Sequence, residues 1–251
     1  MELDDDALVR YARQILLPEV GEDGQQRLAA ASVLIVGAGG LGVPVASYLA
    51  AAGVGRLGMA DGDTVALSNL PRQVAYATAD IGLSKVVWLA ASLSENNPNV
   101  EVECYGYLTG DNVGEIIATY DLVADCCDNF PTRYLVNSAC VRQGKPLVSA
   151  ALSRYSGQLA VFVPGAGCYQ CMVPDSPDNE TVQGCVEGGI LGPLAGLLGC
   201  WQAFEVLKQL MGLQPDMAGN MLLVDALDWR TQTIRIAKNV DCPVCGGGEV
   251  L

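Results

Sequence analysis

Apolar and polar positions follow two different regimes along this chain. Up to about residue 150, short runs dominated by apolar residues recur at 32–36, 56–60, 100–104, 122–125 and 146–149. Stretches of helical spacing separate them, over about 43–52, 84–95, 111–119 and 131–143. The runs predict buried strands and the intervening stretches predict helices. Strand and helix in alternation make an α/β fold, a Rossmann-like and mostly parallel sheet with helices on both faces. Residues 3–30 predict a partly amphipathic helical segment with Leu8, Ile15, Leu16, Leu17 and Leu28 as apolar anchors, interrupted at Pro18 and Gly21.

Beyond residue 150 the regime changes. Residues 157–163 alternate as a half-buried strand does, and 164–192 are rich in Gly, Pro, Cys and Asp and predict an irregular stretch. A long apolar helix is expected over 194–211, then two antiparallel strands at 221–224 and 231–237. The reading is one domain over 1–251: N-terminal helices (1–30), a nucleotide-binding core (31–150) and a smaller antiparallel part (151–251).

Composition narrows the chemistry. Hydrophobic residues make up 51% of the 251, yet no apolar run reaches the roughly 20 residues of a membrane-spanning helix. The first residues, Met-Glu-Leu-Asp-Asp-Asp, are acidic where a signal peptide is basic, so a cytoplasmic location is expected. Fourteen basic against 28 acidic residues leave a formal charge of -14, which disfavours nucleic acid and anionic membranes as partners. The chain has no histidine. Ser-His-Asp and Cys-His catalysis and histidine metal sites are thereby excluded within it.

Gly37, Gly39 and Gly42 form a G-x-G-x-x-G turn, with Gly40 inside it, between a predicted strand and a predicted helix. Such a turn lets phosphate approach the backbone and the free N–H groups of a helix start. Asp61 falls at the end of the second strand, where a carboxylate can accept hydrogen bonds from a ribose diol. The turn alone does not choose between NAD, FAD and ATP. Asn69, Arg72, Gln73 and Lys85 follow, and two cations with two amides suit a triphosphate attacked at its α-phosphorus. Asp125 and Asp128 follow the fourth strand. Asp128 is a candidate magnesium ligand, and one of the two is expected to start a helix or turn.

Ten cysteines include two knuckles, Cys168-Tyr-Gln-Cys171 and Cys242-Pro-Val-Cys245. Four thiolates satisfy tetrahedral zinc and leave no position for water, so the expected ion is structural. Cys185 lies in polar, Gly-rich sequence and is a candidate nucleophile, whereas Cys140 and Cys200 sit on apolar helical faces. Arg13 is a guanidinium with no evident partner.

Taken in order, Arg10-Tyr-Ala-Arg-Gln-Ile-Leu-Leu17, Gly24-Gln-Gln, the glycine turn, Ser68-Asn-Leu-Pro-Arg-Gln73, Asp125-Cys-Cys-Asp-Asn129 and the two knuckles resemble one family over nearly the whole chain. It is that of the bacterial adenylyltransferases that activate ubiquitin-like sulfur-carrier proteins, of molybdopterin-synthase and thiamine-biosynthesis type, related to the ubiquitin-activating enzymes. The resemblance implies ATP with its ribose on Asp61 and its phosphates among Asn69, Arg72, Gln73 and Lys85. It implies Mg2+ on Asp128, structural Zn2+, and a homodimer in which Arg13 reaches the partner's nucleotide. The implied substrate is a carrier ending in Gly-Gly, adenylated on its terminal carboxylate, with a sulfur donor of cysteine desulfurase or rhodanese type. Cys185 matches a cysteine that, in the thiamine type, can form an acyl-disulfide with the carrier. Gly62 and Pro71 depart from the family's usual residues. Two other classes share some of these features: a pyridine-nucleotide oxidoreductase, and a zinc-stabilised binding protein without catalysis.

Overall fold

A computed structural model of the chain describes residues 3–175 and 189–246. Eight strands form one sheet: β1 (Ser32–Val36), β2 (Arg56–Ala60), β3 (Glu101–Tyr105), β4 (Leu122–Asp125), β5 (Leu147–Ser153), β6 (Ser156–Phe162), β7 (Asn220–Asp225) and β8 (Arg230–Arg235). Their spatial order is β3-β2-β1-β4-β5-β6-β7-β8. The first five are mutually parallel and the last three join antiparallel. The expected Rossmann-like sheet with an antiparallel extension is therefore what the chain forms. In register, Val36 lies opposite both Ala60 and Asp125, so the C-terminal ends of β1, β2 and β4 reach one edge together.

Strand β1 shows why its sequence is apolar throughout. Val33 and Ile35 point into one core with Leu28, Leu49, Leu89 and Leu198. Leu34 and Val36 point into the other with Ile117, Val136 and Tyr169. Helices α3 (Gly21–Ala30), α4 (Gly42–Ala52), α5 (Lys85–Asn96) and the long α9 (Gly192–Met211) supply the first layer. Helices α6 (Val113–Ala118), α7 (Phe130–Gln143) and the single turn α8 (Tyr169–Met172) supply the second. A strand covered on both faces has no polar face to show. Among the described residues no helix is long and apolar enough to cross a membrane.

The N-terminal segment departs from expectation. It is broken into α1 (Asp5–Arg10), α2 (Ala12–Ile15) and α3, and Leu16 and Leu17 are 73% and 53% exposed. The real anchors are Ala7, Tyr11, Val20, Gln25 and Leu28. Tyr11 lies over Gly53 and its hydroxyl accepts from Asn97 Nδ2 at 2.8 Å, while Gln25 Nε2 donates to the Ala52 carbonyl at 2.8 Å. Polar side chains satisfying the C-terminal end of α4, rather than leucines, fix this segment. Strand β5 outruns its predicted end because it continues as a hairpin with β6, with Ser153 opposite Ser156.

Candidate functional site

The common edge of β1, β2 and β4 opens into a cavity of about 1540 Å³. It lies where the strand order reverses at β1, the usual ligand position in an open α/β sheet. Each glycine of the turn has its own reason. Gly37 sits at φ +100°, and a Cβ there would meet the Cys126 carbonyl oxygen at 2.8 Å. Gly42 packs so close that a Cβ would collide with the Gly37 carbonyl. Gly39 faces open space apart from Gln73, so a ligand can approach the backbone there.

Asp61 Oδ2 accepts from the Ala38 N–H, and Oδ1 from the Asp63 N–H, both at 2.8 Å. Tyr76, a residue the sequence reading passed over, donates to the Ala38 carbonyl at 2.9 Å. Burial pushes its hydroxyl pKa up and keeps it a donor. Asn69 Oδ1 accepts from the Ala66 N–H, and Arg72 Nη1 donates to the Ser68 carbonyl at 2.8 Å. Gln73 is 3% exposed, and among the described residues its Oε1 finds no donor. Lys85 is buried at the start of α5, and its Nζ lies 2.8 Å from Asp63 Oδ2. Asn69, Arg72, Gln73 and Lys85 all line the one cavity with Gly37, Gly39, Gly40 and Asp61.

The two aspartates after β4 separate. Asp128 is exposed on the cavity wall. Asp125 is 1% exposed and faces inward, and is the one of the two that starts a turn. Its Oδ2 takes Arg133 Nη1 at 2.8 Å and Ser149 Oγ at 2.7 Å, and its Oδ1 takes the Cys127 N–H. Arg133 also donates to the Cys127 and Ala150 carbonyls. Gln202 of α9 donates to the Asp125 and Val148 carbonyls. Asp125 thus starts a turn, and Asn129 caps α7 through the Thr132 N–H. Burial pushes the Cys126, Cys127 and Cys140 thiols up, which makes them poor nucleophiles. Cys185 lies outside the described residues.

Arg13 is exposed and does not line this cavity. Its neighbour Gln14 donates to the Ala52 carbonyl, at the end of α4 opposite the glycine turn. Among the described residues the Arg13 side chain has no hydrogen bond or ion pair.

The four knuckle cysteines meet elsewhere. Strands β6 and β8 run against β5, so the segments that follow them lie at the edge of the sheet opposite the cavity. There the Sγ atoms of Cys168, Cys171, Cys242 and Cys245 lie within 4.8 Å of one another. Cys168 Sγ is 3.7 Å from Cys242 Sγ, and Cys171 Sγ is 3.3 Å from Cys245 Sγ. Disulfides need about 2.05 Å, whereas a tetrahedral zinc with Zn–S of about 2.3 Å sets sulfurs about 3.8 Å apart. The set can hold a metal ion. Burial opposes ionisation of the Cys242 thiol, but the N–H groups of Cys245 and Val244 and the nearby thiols bring it down to about 7. Asn137 was not signalled by the sequence: it donates to Cys168 Sγ at 3.6 Å and accepts from the Tyr169 N–H at 2.9 Å.

The ThiF family pattern matches residues 11–244. The adenylyltransferase and sulfurtransferase MOCS3 of Sus scrofa is 52% identical over 247 residues, 97% of this chain and 54% of that protein. The chain therefore spans about half the length of these relatives. The sulfur carrier protein adenylyltransferase of Thermus thermophilus is 49% identical over 95% of this chain and 91% of its own. The SAMP-activating enzyme E1 of Haloferax volcanii is 44% identical over 100% and 93%. The crystal structure of E. coli MccB with ATP shares the fold, with a TM-score of 0.82 at 23% identity over 94% of this chain and 73% of that one. By its sequence over nearly its full length, this chain belongs to the ThiF family.

Proposed function

We propose that this chain is a sulfur-carrier protein adenylyltransferase. It takes ATP and the C-terminal glycine of a ubiquitin-like carrier ending in Gly-Gly, and forms the carrier acyl-adenylate and pyrophosphate. The product would feed sulfur transfer in thiamine, molybdopterin or related biosynthesis. The observation that carries this reading is the convergence, in one cavity, of the glycine turn, Asp61, two amides and two cations. Asp61 would take the ribose. Asn69, Arg72, Gln73 and Lys85 would surround the phosphates.

In the reaction a carboxylate oxygen of the carrier attacks the α-phosphorus and pyrophosphate leaves. Carboxyl termini titrate near about 3.5, so the nucleophile is already ionised and needs no general base. A chain without histidine is sufficient. Arg72 and Lys85 would offset the charge on the leaving pyrophosphate. Asp128 lies exposed on the cavity wall and would hold a magnesium ion, which would supply further charge neutralisation when bound. The cavity continues past Ser153, Gln158 and Leu223 onto the antiparallel strands, an extended path suited to a carrier tail. On this reading residues 151–251 would be the carrier-binding and zinc-binding part of a single domain. Arg13 would act from the partner subunit of a homodimer, since it is remote from its own cavity. Carrier-dependent pyrophosphate–ATP exchange tests the reading, using purified carriers that end in Gly-Gly. Exchange is expected with at least one. Reduced nicotinamide binding without any exchange would point to an oxidoreductase instead.

A further inference from the structure

Gly62 stands between the two aspartates that follow β2, a position closed to any side chain. The reason is steric. A Cβ on Gly62 would fall on the ring of Tyr107, 2.7 Å from Cγ and nearer still to Cδ2 and Cε2. The Gly62 backbone is not in the left-handed region, so space rather than conformation demands glycine. The ring lies over Asp61-Gly62-Asp63 and its hydroxyl donates to Asp63 Oδ1. The other carboxylate oxygen of Asp63 holds Lys85.

Tyr107 is fixed in this position. Asn112 Nδ2 donates to its carbonyl at 3.2 Å, and Asn112 Oδ1 takes the Thr109 N–H at 2.8 Å, which braces the turn after β3. Yet the side chain is 64% exposed and lines the cavity beside Asp61. The Cγ, Cδ2 and Cε2 atoms of the ring lie against Gly62, and the exposed remainder is open to whatever occupies the cavity. A large apolar ring held in place and left open beside a ribose acceptor is a platform for a flat, π-bearing group.

Resting on the nucleotide reading above, we propose that Tyr107 is a nucleoside-positioning residue: its ring, admitted by Gly62, packs against the adenine base, and its hydroxyl holds Asp63 in place beside Lys85. The base is thereby sensed through the same aspartate that anchors a phosphate-binding lysine. Gly62 and Tyr107 form one unit, because a side chain at 62 displaces the ring.

The test is ATP affinity by calorimetry, with the KM and kcat of pyrophosphate–ATP exchange, on Tyr107→Leu, Tyr107→Phe, Gly62→Ala and the double Gly62→Ala/Tyr107→Leu. Tyr107→Leu should weaken ATP binding about tenfold, a typical loss for one aromatic–base contact, and the loss should fall on KM rather than kcat. Tyr107→Phe should recover most of that loss. Gly62→Ala should weaken binding to a similar extent alone, but add little once Tyr107 is leucine, since the displaced ring is already absent. Wild-type affinity in Tyr107→Leu, or additive losses in the double variant, would overturn the proposal while leaving the adenylation reading intact. Wild-type protein that binds no ATP would overturn both.

Discussion

At the cavity, Asp61, Arg72, Gln73 and Lys85 come from a single stretch after β2, and several keep bonding capacity unspent. Within the described residues Arg72 donates only once, and the Gly39 backbone is left open to a ligand. At the opposite edge of the sheet, Cys168 and Cys171 meet Cys242 and Cys245 across 74 residues, and each thiol already faces another. One region is open, polar and short-range. The other is closed and long-range. The difference separates two kinds of work. Groups with spare capacity can bind and release a substrate, whereas a saturated cluster can only hold distant segments together. Stability and turnover should therefore respond to different residues.

The largest effect should come from the closed side. Structural zinc supplies about 10–16 kcal/mol of apparent binding free energy in small metallo-domains. Part of that should appear here as stability, because Tyr169, beside Cys168, packs into the second core layer while most of the core lies away from the cluster. Cys242→Ser should abolish a content of one zinc per chain and lower the melting temperature. Exchange by the protein that remains folded should stay near wild type, since none of the four cysteines lines the cavity. Wild-type protein purified under reducing conditions without zinc, yet equally stable, would remove the distinction.

Asp125 is the exception that sharpens the comparison, because it lies beneath the cavity but behaves like the closed side. Removing one partner of a buried ion pair typically costs about 3–5 kcal/mol. Asp125→Ala should lose stability of that order in denaturant unfolding, since Arg133 is left charged and buried. Asp125→Ala/Arg133→Met should recover part of it. A single-variant loss below about 1 kcal/mol would show that the pair is not what holds the end of β4.

These residues also mark the limit of what the sequence disclosed. The glycine turn, the strand-end aspartate and the two knuckles were legible because each is set by local spacing and backbone geometry. The mostly parallel sheet followed from the alternation of strands and helices. That Asp125 rather than Asp128 would make the turn was not legible, because its partner, Arg133, is a helix residue that only tertiary packing brings inside. Gln202 and Asn137 are polar residues on mainly apolar helices, and no period distinguishes a buried polar clamp from a solvated one. Leu16 and Leu17 looked like anchors because hydrophobicity says what favours burial, not what is available to cover it. Tyr107 was invisible for a related reason: its role rests on contact with Gly62, 45 residues earlier in the chain (107 − 62).

On the open side, Arg13 and Asp128 should affect turnover without affecting stability. Loss of one well-placed charge-stabilising donor usually costs about 10²–10³-fold in rate. Arg13→Ala and Asp128→Ala should each reduce exchange by that order with unchanged melting. Mixing the two should restore part of the activity, because a hybrid dimer would hold one intact composite site. Absence of recovery, with subunit exchange shown independently, would place Arg13 outside the site and leave it a surface residue.

The smallest expected effect concerns Cys185, which lies outside the described residues. Adenylation itself needs no thiol, since the carrier carboxylate is the nucleophile. Cys185→Ala should therefore exchange pyrophosphate at close to the wild-type rate. Any defect should appear later, when the acyl-adenylate is converted to a thiocarboxylate or a covalent conjugate. Exchange and carrier thiocarboxylation measured in parallel separate the outcomes. Loss of exchange in a folded, zinc-replete protein would refute this division of labour, whereas normal thiocarboxylation would show that sulfur reaches the carrier without this thiol.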